Sequence, residues 1–528
     1  MRRREFLKGA TASTLLCACG EHAMAQQGAF ICSFKAPPPP PYGAKTTVRS
    51  FGIMPKHPDA NLTWSYDAAA NPILSEDGTT PLANVDKLIA HAFSLWKFAA
   101  PKLKFTKVDS GGHITFASGA LVADKPGFTV YASTEPDGSK ITINNTVKFG
   151  PSNSAIKDKN KAVSLSHVLT HEIGHALGLY HSTSEQAVMW ATTNPTHTWE
   201  RLWFDDLNAI RALYGWETQT GPVFSTETTP AICDCGDVLV MVWRGDGSNT
   251  NLFISTSKDG LSWAPQRIFR ESGSIASPGL AWDGKRLWMV WRGVKEDQAL
   301  YYKTSTDFFV KDNPPQQKMA DRASSHGPRI AVIDGTPTMV WKGQSDDIGV
   351  YISQFVNGKW QPQRSVPGVG TTVPPAVCRE VNGGVRLVWR VADGTLYTQT
   401  SLGSPTVFGP HKQVTWTTPG NSDSDAPVAT GHAQTAAGAG GPALAGGGAT
   451  IHAAWIGPGG DPHLFYTVLT DDSLTKTPAP KWSTQVPIPN VTSADSPALA
   501  IFKNWVVVVW RGRENKGIYA TRLILEST

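Results

Sequence analysis

Cysteine and charge are both scarce in this chain. Of 528 residues only 6 are cysteine, and 17% are Asp, Glu, Lys or Arg. Loss of the segment Met1 to Ala25, argued below, would leave Cys32, Cys233, Cys235 and Cys378. Four thiols are too few to staple a chain of this length into a disulfide framework. The net charge is +5, and Arg2, Arg3, Arg4 and Lys8 against Glu5 and Glu21 place +2 of it before Ala25. So weak and dispersed a charge gives no basis for nucleic-acid binding. No apolar run beyond the N-terminus reaches the roughly 20 residues that a bilayer-spanning helix needs, so no transmembrane segment is expected. Long helices are disfavoured as well, because 49 Gly, 38 Pro and 19 Trp suit short strands and turns.

What is present begins with an address. The chain opens "MRRREFLKGATASTLLCACGEHAMAQ". A basic start, a short apolar stretch from Gly9 to Gly20 and the small-x-small site Ala23-Met24-Ala25 make residues 1–25 a secretory signal peptide. Arg3-Arg4-Glu5-Phe6-Leu7-Lys8 resembles the bacterial twin-arginine signal, so export to the periplasm or the exterior is expected. "LCAC", ending at Cys19, leaves lipid anchoring as an alternative. Residues 26–44 form a proline-rich linker containing most of "APPPPPYGAK".

A chain of this length should hold two or more domains. Residues 45–216 mix strands and helices. "NLTWSYD", "HITFA", "GFTVYAS" and "KITINN" read as strands; "NVDKLIAHAFSLWKFA", "SLSHVLTHEIGHALGL" and "FDDLNAIRALYG" read as helices. Residues 222–528 change to short strands and turns, and a repeat appears. Proline precedes tryptophan by one fixed interval at Pro230/Trp243, Pro278/Trp291, Pro328/Trp341, Pro442/Trp455 and Pro497/Trp510; the interval Pro375/Trp389 is longer by a single position. Six units of about fifty residues predict an all-β propeller of six four-stranded blades. "STSKDGLSW" resembles the aspartate-box turn of sialidase-like propellers. Cys233 and Cys378 replace an alanine of the repeat and are expected to be buried, inert thiols.

The chemistry concentrates in "THEIGHALGLYHS", Thr170 to Ser182. His171 and His175 lie four apart, so on a helix both imidazoles leave one face and converge on a metal. Glu172 sits one step round, placed to hold a water without ligating. Gly178 can end the helix in a left-handed conformation, and the returning chain brings His181 to the same metal. Three neutral nitrogens with one open position is the pattern of catalytic zinc. Glu172 would act as general base, taking a proton from the water and passing it to the leaving amine.

The extended pattern HExxHxxGxxH marks the metzincins, and within them the chain resembles the matrixins. Ser182 follows the third histidine as matrixins have it, Met189 in "AVMW" stands where their methionine turn lies, and "FDDLNAIRALYG" looks like their C-terminal helix. The resemblance implies an α+β metzincin catalytic domain, a zinc endopeptidase acting on protein or peptide substrates, and an edge strand at Phe128, Thr129, Val130 and Tyr131 that pairs with extended peptide. Matrixins often hold a second, structural zinc. The matching stretch "ADKPGFTVYASTEPDGSKITINN" has no histidine, so that metal is expected to be missing. Calcium remains possible but unsupported, because Asn144 and Asn145 stand where acids belong. Too little chain follows Ala25 for a full propeptide. Cys32 could block the zinc as a thiolate, though the surrounding pattern is absent. His167, one turn before His171, is expected to be structural.

In five repeats a cation follows the tryptophan: Arg244, Arg292, Lys342, Arg390 and Arg511. Such pairs can line glycan sites. Strand alternation equally places the tryptophan inside and the cation in an inter-blade salt bridge, the reading favoured here. The propeller is expected to bind substrate, a glycan or a protein surface. Two functions therefore stand: a secreted metalloprotease whose propeller targets it, and an adhesin or lectin with a vestigial protease domain.

Overall fold

A computed structural model of the chain describes residues 30–31, 60–123, 129–156, 162–179, 181–182, 186–190, 192–193, 200–221, 223–380, 383–392, 394–401, 407–414, 440–447, 450–457, 461–470, 481–482 and 486–525. They fall into two compact units, one holding Phe51–Ile210 and the other Arg211–Thr417 with Ala426–Thr528. Among the described residues no helix is long and apolar enough to cross a membrane.

The first unit is built on strands β1 (Phe30–Ile31), β2 (Asn61–Tyr66), β3 (Lys104–Lys107), β4 (Ile114–Gly119), β5 (Thr129–Val130), β6 (Ala132–Thr134), β7 (Lys140–Asn144), β8 (Phe149–Gly150), β9 (Val163–Ser164) and β10 (Thr192–Thr193). Its helices are α1 (Val85–Ala99), α2 (Leu165–Ala176) and α3 (Phe204–Tyr214). The main sheet has the order β3-β2-β4-β7-β6, parallel except for β6. The apolar spacing read in α1 is the face it buries: Val85, Ile89, Ala92, Phe93, Trp96 and Ala99. Pro101 follows its last turn. Phe93 packs among Trp64, Phe105 and Phe116 of the sheet. Trp96 donates its indole N–H to the Thr170 carbonyl at 3.0 Å, fixing α1 against α2. Every residue of α2 is buried, and Ser164 caps its start by accepting from the His167 N–H.

The second unit is a ring of six sheets. Their first strands are Ala231–Asp234, Gly279–Trp282, Arg329–Ile333, Ala376–Arg379, Ala443–Gly447 and Ala498–Phe502. Each first strand touches that of the next blade, and the sixth touches the first. The apolar clusters lie between blades; one joins Ile232, Met241 and Trp243 to Phe502, Val507 and Val509. Each repeat tryptophan sits on the second strand and stacks on an aromatic directly opposite on the third: Phe253, Tyr301, Tyr351, Tyr397, Phe465 and Tyr519. In all six pairs the centroids lie 5.9–6.1 Å apart with planes inclined by 17–21°. The sixth sheet takes its outer edge from the segment leading into the first blade, through bridges Trp216↔Leu523, Thr220↔Ala520 and Ser225↔Gly517. The ring is thereby closed by its own beginning.

Two expectations for this unit need correction. Cys378 is buried, and burial pushes its thiol up to about 12, but Cys233 is only half-buried, and it is the neighbouring Cys235 that is enclosed. Cys233 lies near the end of its strand, beside the turn in which Asp234 accepts from the Gly236 N–H, so its place in the repeat does not enforce burial. The repeat tryptophans are buried as expected, but their cations do not form inter-blade salt bridges as a rule. Arg244 donates to the Gly247 carbonyl, Arg292 to Ser324 and Lys295, and Lys342 to Ser345 and Asp347. Arg511 adds a 3.7 Å contact to Glu227 to its bond with the Thr226 carbonyl. For Arg244, Arg292 and Lys342 backbone carbonyls take the hydrogen bonds, and the acids of the following turns act on these cations by charge without ion-pair contact. The aspartate-box-like turn forms as read: Asp259 accepts from the N–H groups of Leu261 and Ser262, and Gly260 has φ +77°.

Candidate metal centre

Helix α2 brings His171 and His175 to one face, and Gly178, at φ +103°, ends it in the conformation that glycine favours. The Gly178 N–H returns to the His175 carbonyl and the Leu179 N–H to that of Gly174, so the chain doubles back and delivers His181. The Nε2 of His175 lies 3.0 Å from that of His171 and 3.2 Å from that of His181. Nδ1 of His171 is 2.7 Å from the Val188 carbonyl oxygen, and Nδ1 of His175 is 2.8 Å from that of Leu179. A carbonyl only accepts, so both Nδ1 atoms carry the proton and both Nε2 atoms present lone pairs. Burial, then the neighbouring His181 ring, holds His171 well below its ordinary range; burial pulls His181 to about 4. The rings of His171, His175 and His181 face one another with Nε2 innermost. Zinc bound tetrahedrally at its usual nitrogen distance would space them roughly 3.3 Å apart, so the donor set fits the ion. Among the described residues this is the one group of three or more His, Cys, Asp or Glu close enough to hold a metal. His167 stands outside it, its ring 6.4 Å from that of His171.

Glu172 is buried beside this cluster at 2% exposure. Its Oε2 lies 2.5 Å from the hydroxyl of Thr134 on β6, and its backbone oxygen lies 3.1 Å from the same hydroxyl. Thr134 thus sets the direction of the carboxylate. Nothing in the sequence marks Thr134, whose only signal is its place at the end of a strand that the fold lays against α2.

Met189 lies beneath the cluster. A Cβ added to Gly174 would come within 2.3 Å of the Met189 Sδ and 2.9 Å of Trp96 Cζ2, so the glycine in "HEIGH" leaves room for the methionine. The turn carrying Met189 is held from α3. Asp206 accepts from the N–H groups of Val188 at 2.9 Å, Met189 at 3.1 Å and Trp203 at 2.8 Å. Ser182 donates its N–H to the Met189 carbonyl and its hydroxyl to Asp205. The serine that singled out the family therefore ties the third histidine to both the methionine turn and α3.

Of the expected substrate edge, Thr129 and Val130 form β5, Tyr131 falls between β5 and β6, and Phe128 lies outside the described residues. The edge is already paired. Strand β1 runs parallel to β5, with Phe30 opposite Thr129, and antiparallel to β10, with Phe30 opposite Thr193. Cys32 follows β1 directly and lies outside the described residues. Asn144 has a structural role: its amide donates to the carbonyls of Leu121 and Val130.

Residues 60–215 match the family model described as Matrixin. This stretch is a matrixin domain. The chain is 32% identical over 195 residues to matrix metalloproteinase-18 of Xenopus laevis, covering 35% of this chain and 40% of that protein. It is 29% identical over 176 residues to matrilysin of Rattus norvegicus, covering 32% and 63%. With interstitial collagenase B of Mus musculus the identity is 37% over 95 residues, covering 17% and 19%. The chain thus spans between about a fifth and just under two thirds of the length of these relatives. The matched residues end at Gly215, ahead of the propeller's first blade.

Proposed function

We propose that this protein is an exported, zinc-dependent endopeptidase whose propeller docks protein substrate or a surface. The supporting observation is the convergence of three imidazole Nε2 atoms, two of the rings oriented by backbone carbonyls, beside a carboxylate aimed by Thr134. His171, His175 and His181 would hold the ion. Zinc, when bound, would supply a Lewis acid that lowers the pKa of water in its remaining position and polarises a carbonyl oxygen.

The chain's own residues account for the rest. Glu172 accepts the proton of the attacking water and returns it to the leaving amine nitrogen. Thr134 keeps Oε2 in place for both transfers, and the burial of the site limits competing solvent. Strand β5 supplies backbone hydrogen bonds that align an extended peptide. Its pairing with β1 supports that reading, because the edge takes up a strand of this very chain. The basic, apolar and small-residue order of residues 1–25 supports export. An intact histidine set and a positioned Glu172 speak against an adhesin with a vestigial protease.

One preparation measured for zinc and for cleavage of an unstructured protein, beside Glu172→Ala, tests the reading. The expected result is one zinc per chain in both proteins and activity only in the wild type. A wild type without zinc, or a variant that still cuts, overturns it.

A further inference from the structure

The residue after each repeat proline opens the first strand of its blade. Five copies carry the smallest side chains there, Ala231, Gly279, Ala376, Ala443 and Ala498; the third carries Arg329. These six residues line a cavity of about 80 Å³ on the axis of the ring, and Arg329 is the one charged residue on its described wall. Local packing accommodates the exception. A Cβ on Gly279, one blade back, would stand 2.8 Å from the Pro328 carbonyl oxygen and 3.4 Å from the Arg329 Cα.

The guanidinium is thinly bonded. Nη1 donates to the Pro328 carbonyl at 3.2 Å and to that of Gly327 at 3.5 Å, both long and both local. Among the described residues, Nε and Nη2 have no hydrogen bond and no carboxylate is within ion-pair distance. Asp495, the acid whose charge reaches Arg329, accepts instead from the N–H groups of Thr229, Gly440 and Ser496. Burial pulls Arg329 down to about 10. Burial, with the charges of Lys342, Arg329 and Arg292, pulls His326 to about 4, so the potential at this end of the third blade is positive. Arg329 is partly buried, and its Nε/Nη2 edge, which meets no protein acceptor among the described residues, matches the two oxygens of a carboxylate.

We propose that the axial cavity of the propeller binds a small carboxylate, held in bidentate fashion by Nε and Nη2 of Arg329 within a ring of alanines and glycine. The cavity has room for several water molecules and so admits a carboxylate with a short apolar stub. Two sources share this chemistry: a free short acid and the C-terminal carboxylate of a peptide. The site is independent of the zinc centre.

Scanning calorimetry of the full chain, with the unfolding of the propeller followed in acetate and in chloride at equal ionic strength, tests the site. Acetate at about 50 mM should raise the transition and chloride should not. Arg329→Ala installs the residue that four other copies carry, so it should fold, cleave protein at the wild-type rate and lose the acetate response. Arg329→Lys keeps the charge without the planar fork and should weaken binding roughly tenfold. A dialanine response larger than that of acetate, lost on C-terminal amidation, assigns the site to chain ends; equal responses assign it to free acids. No acetate response in the wild type, or an undiminished one in either variant, overturns the proposal.

Discussion

Replacing Gly174 by alanine opposes two effects of known size. In an exposed helix interior the change stabilises by about 1 kcal/mol. In α2 the new Cβ meets the Met189 Sδ at 2.3 Å, Trp96 Cζ2 at 2.9 Å and the Met189 Cε at 3.2 Å. Of the two neighbours only Trp96 is held at the ring that the Cβ meets. The Trp96 indole is bonded to the Thr170 carbonyl, and the Met189 N–H is bonded to Asp206. Overpacking a core of this kind costs about 1–3 kcal/mol. With the indole held and the Met189 thioether able to swing aside, the middle of that range applies, and the net loss should be about 1 kcal/mol. For a domain of this size that lowers Tm by roughly 2–4 °C. Gly174 lies between His171 and His175, so the same displacement should weaken zinc retention in a chelator titration. The deciding measurement is a double-mutant cycle with Met189→Ala. That change alone opens a cavity costing about 2–5 kcal/mol, but in the Gly174→Ala background it also relieves the clash. The two losses should therefore be less than additive by about 1 kcal/mol. Strict additivity, or a Gly174→Ala variant as stable as the wild type, would show that Met189 does not brace the helix.

Three further outcomes follow from the same geometry. Thr134→Val keeps the shape of the side chain and removes the hydroxyl from Glu172; kcat on a protein substrate should fall roughly tenfold with KM little changed, and an unchanged kcat would deny the threonine its positioning role. Deleting the segment from Gln26 to Cys32 removes β1 from between β5 and β10, so initial rates on an extended peptide should rise several-fold; equal rates with and without the segment would mean that the edge is open already. His452 lies in the fifth blade between Thr450 Oγ1 and the Tyr466 hydroxyl, and burial pulls it to about 4. Its folded value is below the unfolded 6.5, so the unfolded chain binds more protons between those limits. Propeller stability present above about pH 6.5 should drain by up to about 3 kcal/mol as pH falls toward 4, and His452→Gln should flatten that slope in urea titrations; a slope unaffected by the substitution refutes it.

The parts of the site that were legible are those dictated by local geometry. A four-residue spacing puts two histidines on one helix face whatever surrounds them, and Gly178 is readable because only one backbone conformation turns the chain there. The parts that were not legible depend on distant partners. Thr134 acquires meaning from a helix that begins three strands further along the chain, and Asp206 from the turn that carries Met189. The glycine inside "HEIGH" looks like a flaw in a helix until Met189 and Trp96 are set against it. Strand β1 is hidden for a different reason: its two residues carry no periodicity, and their pairing is set wholly by the free edges that receive them.

The propeller shows the same division with one instructive difference. Proline and tryptophan recur because each closes a local requirement, the proline at the entry to a first strand and the tryptophan between sheets. The opposing aromatic recurs just as faithfully, yet its separation from the tryptophan along the chain changes with the length of the hairpin. Phe253 follows Trp243 at a longer interval than Tyr519 follows Trp510, and Tyr397 follows Trp389 at a shorter one still. A fixed-interval reading misses it, whereas antiparallel pairing restores it, since register and not sequence distance sets which side chains face each other. The cations that follow the tryptophan obey a similar logic. The partners of Arg244, Arg292 and Lys342 are backbone carbonyls, so an ion-pair contact is unnecessary to bury them. That leaves Arg329 as the informative cation. It breaks the repeat at a position where symmetry demands a small residue, and its only hydrogen-bonding acceptors among the described residues are two carbonyls of its own strand entry. In a fold made of copies, chemistry is best sought where one copy departs from the others while its neighbours keep the space it needs.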